Sequence, residues 1–97
     1  MKFINVITRG IQNLLDEKSI KDTDLANILN QFVRNDWGVL NNEDKDFQNE
    51  LLKNPKSIYD ERFMGVYLIN EFKIWIFREY DYLKDSLIIT ILFPEEY

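Results

Sequence analysis

Near Pro55 the hydrophobic period of this 97-residue chain switches, and that switch is the strongest limit on its fold. Upstream, apolar residues recur every three to four positions, the period of a helix with one buried face. Downstream of Ser57 they alternate or cluster in short β-branched and aromatic runs bounded by polar turns, the signature of strands in a buried sheet. Phe63, Gly65, Tyr67 and Ile69 alternate with Met64, Val66 and Leu68, and runs from Phe72 to about Glu79 and from Leu87 to Phe93 follow. Asn70-Glu71 separates the first two runs at the spacing of a tight hairpin, although the Gly that such turns favour is missing. Tyr80 to Asp85 reads as the loop before the last run. Together these predict an antiparallel three-stranded meander.

The upstream half reads as helices. Phe3 to Ile7 is a candidate short strand that would join the sheet, and Thr8 then caps a short helix carrying Ile11, Leu14 and Leu15, weakened by Gly10. Asp22 or Thr23 caps a second helix, on which Leu25, Ile28, Leu29, Phe32 and Val33 share a face. Gly38 is expected to end it in a left-handed conformation. Asn41 or Asn42 caps a third helix with Glu43, Asp44 and Asp46 in its first turn, Phe47, Leu51 and Leu52 as its apolar stripe, and Asn54-Pro55 as its stop. The second and third helices are predicted at about 22–35 and 42–53.

Both faces of the strands are apolar, whereas one helical layer covers one face. Leu87, Ile89, Ile91 and Phe93 oppose Ile88, Thr90 and Leu92, and Phe72, Ile74 and Ile76 oppose Trp75 and Phe77. The expected architecture is α+β: two to three helices on one face of a three- to four-stranded antiparallel sheet, in one domain spanning residues 1–97. The second face needs its own cover, because monomers rarely expose large contiguous apolar patches. A homodimer through the sheet, a docked protein partner, or residues 1–20 folded across the face would each supply it.

Composition narrows the chemistry. The chain has no Cys and no His, which removes disulfides, thiolate metal sites and imidazole base catalysis. Its net charge is −5, spread as +1 over residues 1–34 and −3 over each of 35–60 and 61–97. A surface of that sign repels phosphate backbones, so direct nucleic-acid binding is not expected. Residues 1–9 lack an apolar core and cleavage site of the secretory type, and the longest apolar run, Leu87 to Phe93, is too short to cross a membrane. These features predict a cytoplasmic chain.

Carboxylates are then the remaining candidates for catalysis or metal binding. Asp60, Glu71 and Lys73 resemble the acid-and-lysine set of a Mg²⁺-dependent nuclease, but Glu71 falls in the predicted turn, and solvated hairpin charges are the preferred reading of the set. Asp22-Thr23-Asp24 and Glu79-Tyr80-Asp81 read as a helix start and a strand end. Gly10, Gly38 and Gly65 stand alone, so no phosphate loop is present. No catalytic residue, metal or cofactor is assigned. Asp36-Trp37-Gly38 places a large aromatic where the second helix meets the next segment, as a core residue or a partner-binding anchor. Pro94-Glu95-Glu96-Tyr97 ends the last strand and is either a frayed tail or a contact surface.

These residues form an ordered set. Asn35-Asp36-Trp37-Gly38-Val39-Leu40, Glu43-Asp44, Asn49 with Leu51-Leu52, Lys73-Ile74-Trp75-Ile76, Glu79, Asp81, Thr90-Ile91-Leu92 and Pro94-Glu95-Glu96-Tyr97 follow one another along the chain. The set resembles a family of small bacterial proteins found on plasmids and integrative elements, whose pattern runs G-D-W-G, K-I-W-I, L-L-P-E-E-Y. The resemblance covers roughly residues 30–97. Asn35 stands where the pattern has Gly, Asn70-Glu71-Phe72 where it has a Gly-containing turn, and Phe93 where it has Leu. The resemblance implies a mobile-element context and no defined activity. The restriction-modification label some members carry finds no support, since the chain has neither a cofactor loop nor a catalytic Asn/Asp-Pro-Pro-aromatic motif.

The expected function is a small, acidic, non-catalytic interaction protein of a mobile element, acting on an unidentified protein partner. Asp36, Trp37, Trp75, Phe77, Glu95, Glu96 and Tyr97 are the candidate contact residues. One alternative is an anti-defence inhibitor that mimics DNA and acts on a nuclease or a restriction or CRISPR system. The other is the Mg²⁺-dependent nuclease.

Overall fold

The computed structural model describes residues 2–97. In chain order the elements are β1 (Lys2–Ile7), α1 (Arg9–Asp16), α2 (Asp22–Val33), α3 (Asn42–Leu51), the one-turn α4 (Ser57–Asp60), β2 (Phe63–Ile69), β3 (Phe72–Asp81), β4 (Ser86–Leu92) and a 3₁₀ turn, Pro94–Glu96. The fold is α+β, with a four-stranded sheet in the order β1-β4-β3-β2. β2, β3 and β4 form the antiparallel meander. β1 joins its far side in parallel, Phe3 opposite Leu87 and Ile7 opposite Ile91, so the sheet is mixed.

The pleat divides the side chains into two sets. Phe63, Tyr67, Ile69, Ile74, Ile76, Ile89 and Ile91 face the helices, where Ile11 and Leu14 of α1 and Leu25, Ile28 and Phe32 of α2 complete one core. The opposite face carries Met64, Val66, Trp75, Phe77, Ile88, Thr90 and Leu92.

Several boundaries differ from the sequence reading, each for a local reason. The cap of α2 lies one residue earlier than expected, at Lys21, whose N–H donates to the Asp24 carboxylate at 2.9 Å. The helix ends at Val33, and it is Asn35, with φ +65°, and not Gly38 that closes it in the left-handed conformation. The Asn35 N–H donates to Phe32 C=O and the Asp36 N–H to Gln31 C=O, closing a Schellman turn. Asn tolerates that conformation better than most other side chains. Residues 57–60 form a helical turn where strand periodicity was expected. β3 runs on through Asp81, which pairs with Ser86, so the β3–β4 turn shrinks to residues 82–85. There the Asp81 carboxylate accepts from the Leu83 and Lys84 amides. In the β2–β3 hairpin Asn70 takes φ +55°, and its side-chain amide ties the turn to Ser19 C=O at 3.1 Å.

The outer edge of β2 is sealed twice. Gln48 of α3, only 5% exposed, donates to Met64 C=O at 2.9 Å and accepts the Met64 N–H at 2.8 Å. One side-chain amide thus replaces a neighbouring strand. One repeat further along, Trp37 C=O accepts the Val66 N–H and the Val39 N–H donates to Val66 C=O, a short parallel bridge centred on Gly38. Such edge sealing satisfies polar groups that a hydrophobic stripe cannot. It also rotates α3: Gln48 is buried where Phe47 was expected, and Phe47 stands 62% exposed.

Candidate functional site

α3 straddles the β2 edge. On the helix-covered face Asn49 accepts from the Trp37 indole N–H at 2.9 Å. On the other face Asp44 and Phe47 form one wall of a groove whose floor is Met64, Trp75 and Phe77 and whose end is closed by Arg62 and Tyr97. This cavity, about 380 Å³, adjoins another of about 480 Å³ that shares Asp44, Met64 and Trp75 and extends to Val39, Lys73 and Pro94. The two make one groove crossing Trp75, with an aromatic floor and cations near its two ends. A concave apolar lining with few polar groups is the usual character of a binding site.

The C-terminal tail builds the end wall. Tyr97 lies 5.0 Å from Phe77 and 6.0 Å from Trp75, ring centre to ring centre. The Arg62 guanidinium sits 4.0 Å over Phe77 and 5.0 Å over Tyr97, donates to the Tyr97 hydroxyl, and pairs with Glu79 at 3.7 Å. Cation–ring stacking of this kind holds the guanidinium flat against the wall.

Glu96 anchors the tail from the other side. Its carboxylate accepts from the Thr8 hydroxyl, from the Gly10 amide at 3.0 Å and from the Phe93 amide at 2.9 Å. It therefore serves as the N-terminal cap of α1, a role that Thr8 alone was expected to fill. Gly10 is required for the approach: a Cβ there would lie 2.8 Å from both Glu96 Oε1 and the Phe93 ring. The residue that weakens α1 as a helix former is what lets the tail dock. Desolvation pushes the Glu96 carboxyl up, but the Thr8, Phe93 and Gly10 hydrogen bonds outweigh it and hold the group below its usual range.

A depressed folded-state value means the anchor's contribution is complete above the ordinary glutamate pKa of about 4.3. It is lost as pH falls through the lower folded value. Titration below that range is therefore expected to release Tyr97 and expose Trp75, read as a change in near-ultraviolet circular dichroism. Glu96→Gln should show the acid spectrum already at neutral pH. A Glu96→Gln spectrum that matches the wild type at pH 7 would show that the carboxylate does not hold the tail.

The candidate contact residues divide. Trp75, Phe77 and Tyr97 converge on the groove. Trp37 does not: it is 2% exposed on the opposite face, stacked on Phe63 at 5.8 Å and edge-on to Phe32 at 5.5 Å. Asp36 holds the turn, its carboxylate accepting from the Gly38 amide and Gln31 and its carbonyl from the Tyr67 hydroxyl. That burial and the nearby Asp36 charge push the Tyr67 phenol well above its usual value. Glu96 is committed to α1, and Glu95 is exposed in the tail turn. Sequence reasoning missed Arg62, Phe47 and Asp44 as groove residues. No sequence signal separated Phe47 from the stripe it shares with Leu51, since the two lie one turn apart.

Asp60, Glu71 and Lys73 do not meet. Asp60 accepts from Tyr82 beyond one end of β3, whereas Glu71 precedes its other end. Ten strand residues place them about 30 Å apart, several times a metal coordination sphere. Among the described residues no cluster of three or more carboxylates could hold a metal ion. Among the same residues no helix is long and apolar enough to cross a membrane. No protein-family model, curated protein or solved structure matches the chain.

Proposed function

We propose that this chain is a non-catalytic interaction protein of a mobile genetic element that docks a protein partner in the groove across Trp75. The observation that carries the reading is the convergence of Phe47, Met64, Trp75, Phe77 and Tyr97 on one concave surface. Aromatic anchors gathered in a pocket with a sparse polar rim are what dominate protein–protein recognition. The element context rests on the family resemblance carried by residues 30–97. The partner presents apolar side chains to the floor, and an acidic neighbour of theirs meets Lys73 at the open end.

The DNA-mimic reading gains less support from the surface. Asp44 is paired with Asn41, Glu50 with Lys53, Glu79 with Arg62 and Glu96 with Thr8, so these acids are engaged locally. A mimic needs them in a continuous array.

The test is a Phe47→Asp variant, which places a charge in the groove wall at an exposed position. It is expected to melt like the wild type. Photo-crosslinking from position 47 in native lysate should capture a discrete protein, and wild-type chain but not Phe47→Asp should compete that capture away. Equal competition by both forms would remove the groove from consideration.

A further inference from the structure

β1 is the sheet's other edge, and among the described residues none seals it as Gln48 and residues 37–39 seal β2. The Lys2 N–H donates to Asp85 C=O at 3.3 Å and the Thr8 N–H to Ile91 C=O at 3.1 Å. In a parallel ladder the bonded residues alternate, so Lys2, Ile4, Val6 and Thr8 face β4 with their backbone groups. The backbone groups of Phe3, Asn5 and Ile7 therefore point away from the sheet. Their side chains leave the approach clear, with Phe3 69% exposed and Asn5 exposed. The strand also lacks the devices that guard edges: it has no Pro, no bulge and one charge, Lys2, at its end.

We infer that β1 is a self-pairing edge, on which a second copy of this chain adds its own β1 antiparallel about a two-fold axis through Asn5. The argument for a second copy, over a strand of another protein, is that β1 is chemically symmetric about that residue. The register sets Phe3 against the partner's Ile7 on the helix-covered face and Ile4 against the partner's Val6 on the other, apolar against apolar both times. Each of the outward residues then lies in a hydrogen-bonded position, Phe3 with the partner's Ile7 and Asn5 with the partner's Asn5, the pairing an antiparallel ladder requires. Charges match as well. Lys2 falls opposite the partner's Thr8, whose hydroxyl donates to a Glu96 carboxylate, so each ammonium meets the carboxylate that anchors the other copy's tail. The two sheets become one. This pairing leaves the groove across Trp75 open, since that groove lies toward the β2 edge.

Sedimentation equilibrium from micromolar to millimolar chain tests the inference, together with three variants. Asn5→Pro removes an outward N–H without touching the β1–β4 ladder, a place where an edge strand tolerates Pro. Phe3→Lys puts a charge against the partner's Ile7 and changes only an exposed side chain. Because the chain has no Cys, Asn5→Cys is a unique thiol, and it meets its own copy at about 5.5 Å between Cα atoms, within disulfide reach. Wild type is expected to double its mass as concentration rises, and Asn5→Pro and Phe3→Lys to stay at single-chain mass with unchanged melting. In a glutathione redox buffer Asn5→Cys should cross-link, whereas Leu83→Cys, at a 99% exposed loop position, should not. A wild type that remains monomeric throughout overturns the inference. So does a dimer that Phe3→Lys leaves intact, or an Asn5→Cys chain that cross-links no faster than Leu83→Cys.

Discussion

Replacing Trp37 with Ala is expected to cost about 3–5 kcal/mol, the range for truncating a buried large aromatic. In a domain of this size that lowers the melting temperature by roughly 12 °C or more. The effect has three sources. The indole fills the space between Phe32 and Phe63, which Ala leaves as a cavity. Its N–H is the donor that satisfies Asn49, whose oxygen would lose its partner. Its backbone carbonyl holds the Val66 N–H, and losing the ring loosens the segment that makes this bond. Thermal denaturation followed by circular dichroism decides the matter. A Trp37→Ala protein that melts within a few degrees of wild type would mean that Trp37 is not a core residue.

Gly38→Ala is the second large effect, although the change is one methyl group. Gly38 has φ +72°, where an L side chain costs about 1–2 kcal/mol. Its added Cβ would fall 1.9 Å from Val66 C=O, which is backbone and cannot swing aside. The bridge must open, releasing the Val39-to-Val66 and Val66-to-Trp37 hydrogen bonds, each worth about 1 kcal/mol net. The expected total is about 3 kcal/mol or more. Hydrogen exchange gives the sharper reading. The Val66 amide should lose protection well before the Ile76 amide inside the sheet, and equal protection of both in Gly38→Ala would contradict the bridge.

Periodicity made the sheet and the positions of α2 and α3 readable, but not how the sheet edges are closed. The alternation of Phe63 to Ile69 and the runs at 72–79 and 87–93 led to β2, β3 and β4 because side-chain burial is written directly into residue type. Backbone satisfaction is not. Gln48 looks like surface in sequence, and only the bare edge of β2 sixteen residues later explains why it is buried. Asn35 and Gly38 were exchanged in role for a related reason. Either residue can take positive φ, and what separates them is that Gly38 must also meet Val66 backbone to backbone. Of the groove, Trp75, Phe77 and Tyr97 were legible as aromatics near the chain's third strand and end. Arg62, Asp44 and Phe47 were not, because their roles depend on where α3 and the tail lie in space. The tail read as either frayed or a contact surface, and its anchoring was not legible, since the partners of Glu96 are Thr8 and Gly10, nearly a chain length away.

The parallel seam between β1 and β4 has a consequence for how quickly the molecule can form. The meander assembles from neighbours, with β2 meeting β3 across two residues and β3 meeting β4 across four. β1 has no such neighbour: among the described residues its strand partner is β4, near the opposite end of the chain. Closing a loop of that size must precede the contacts that reward it, and topologies of this kind fold slowly. Until the seam closes, Phe3, Ile4, Val6 and Ile7 form a β-prone apolar segment with no place in a sheet, which is when a nascent chain is most exposed to aggregation.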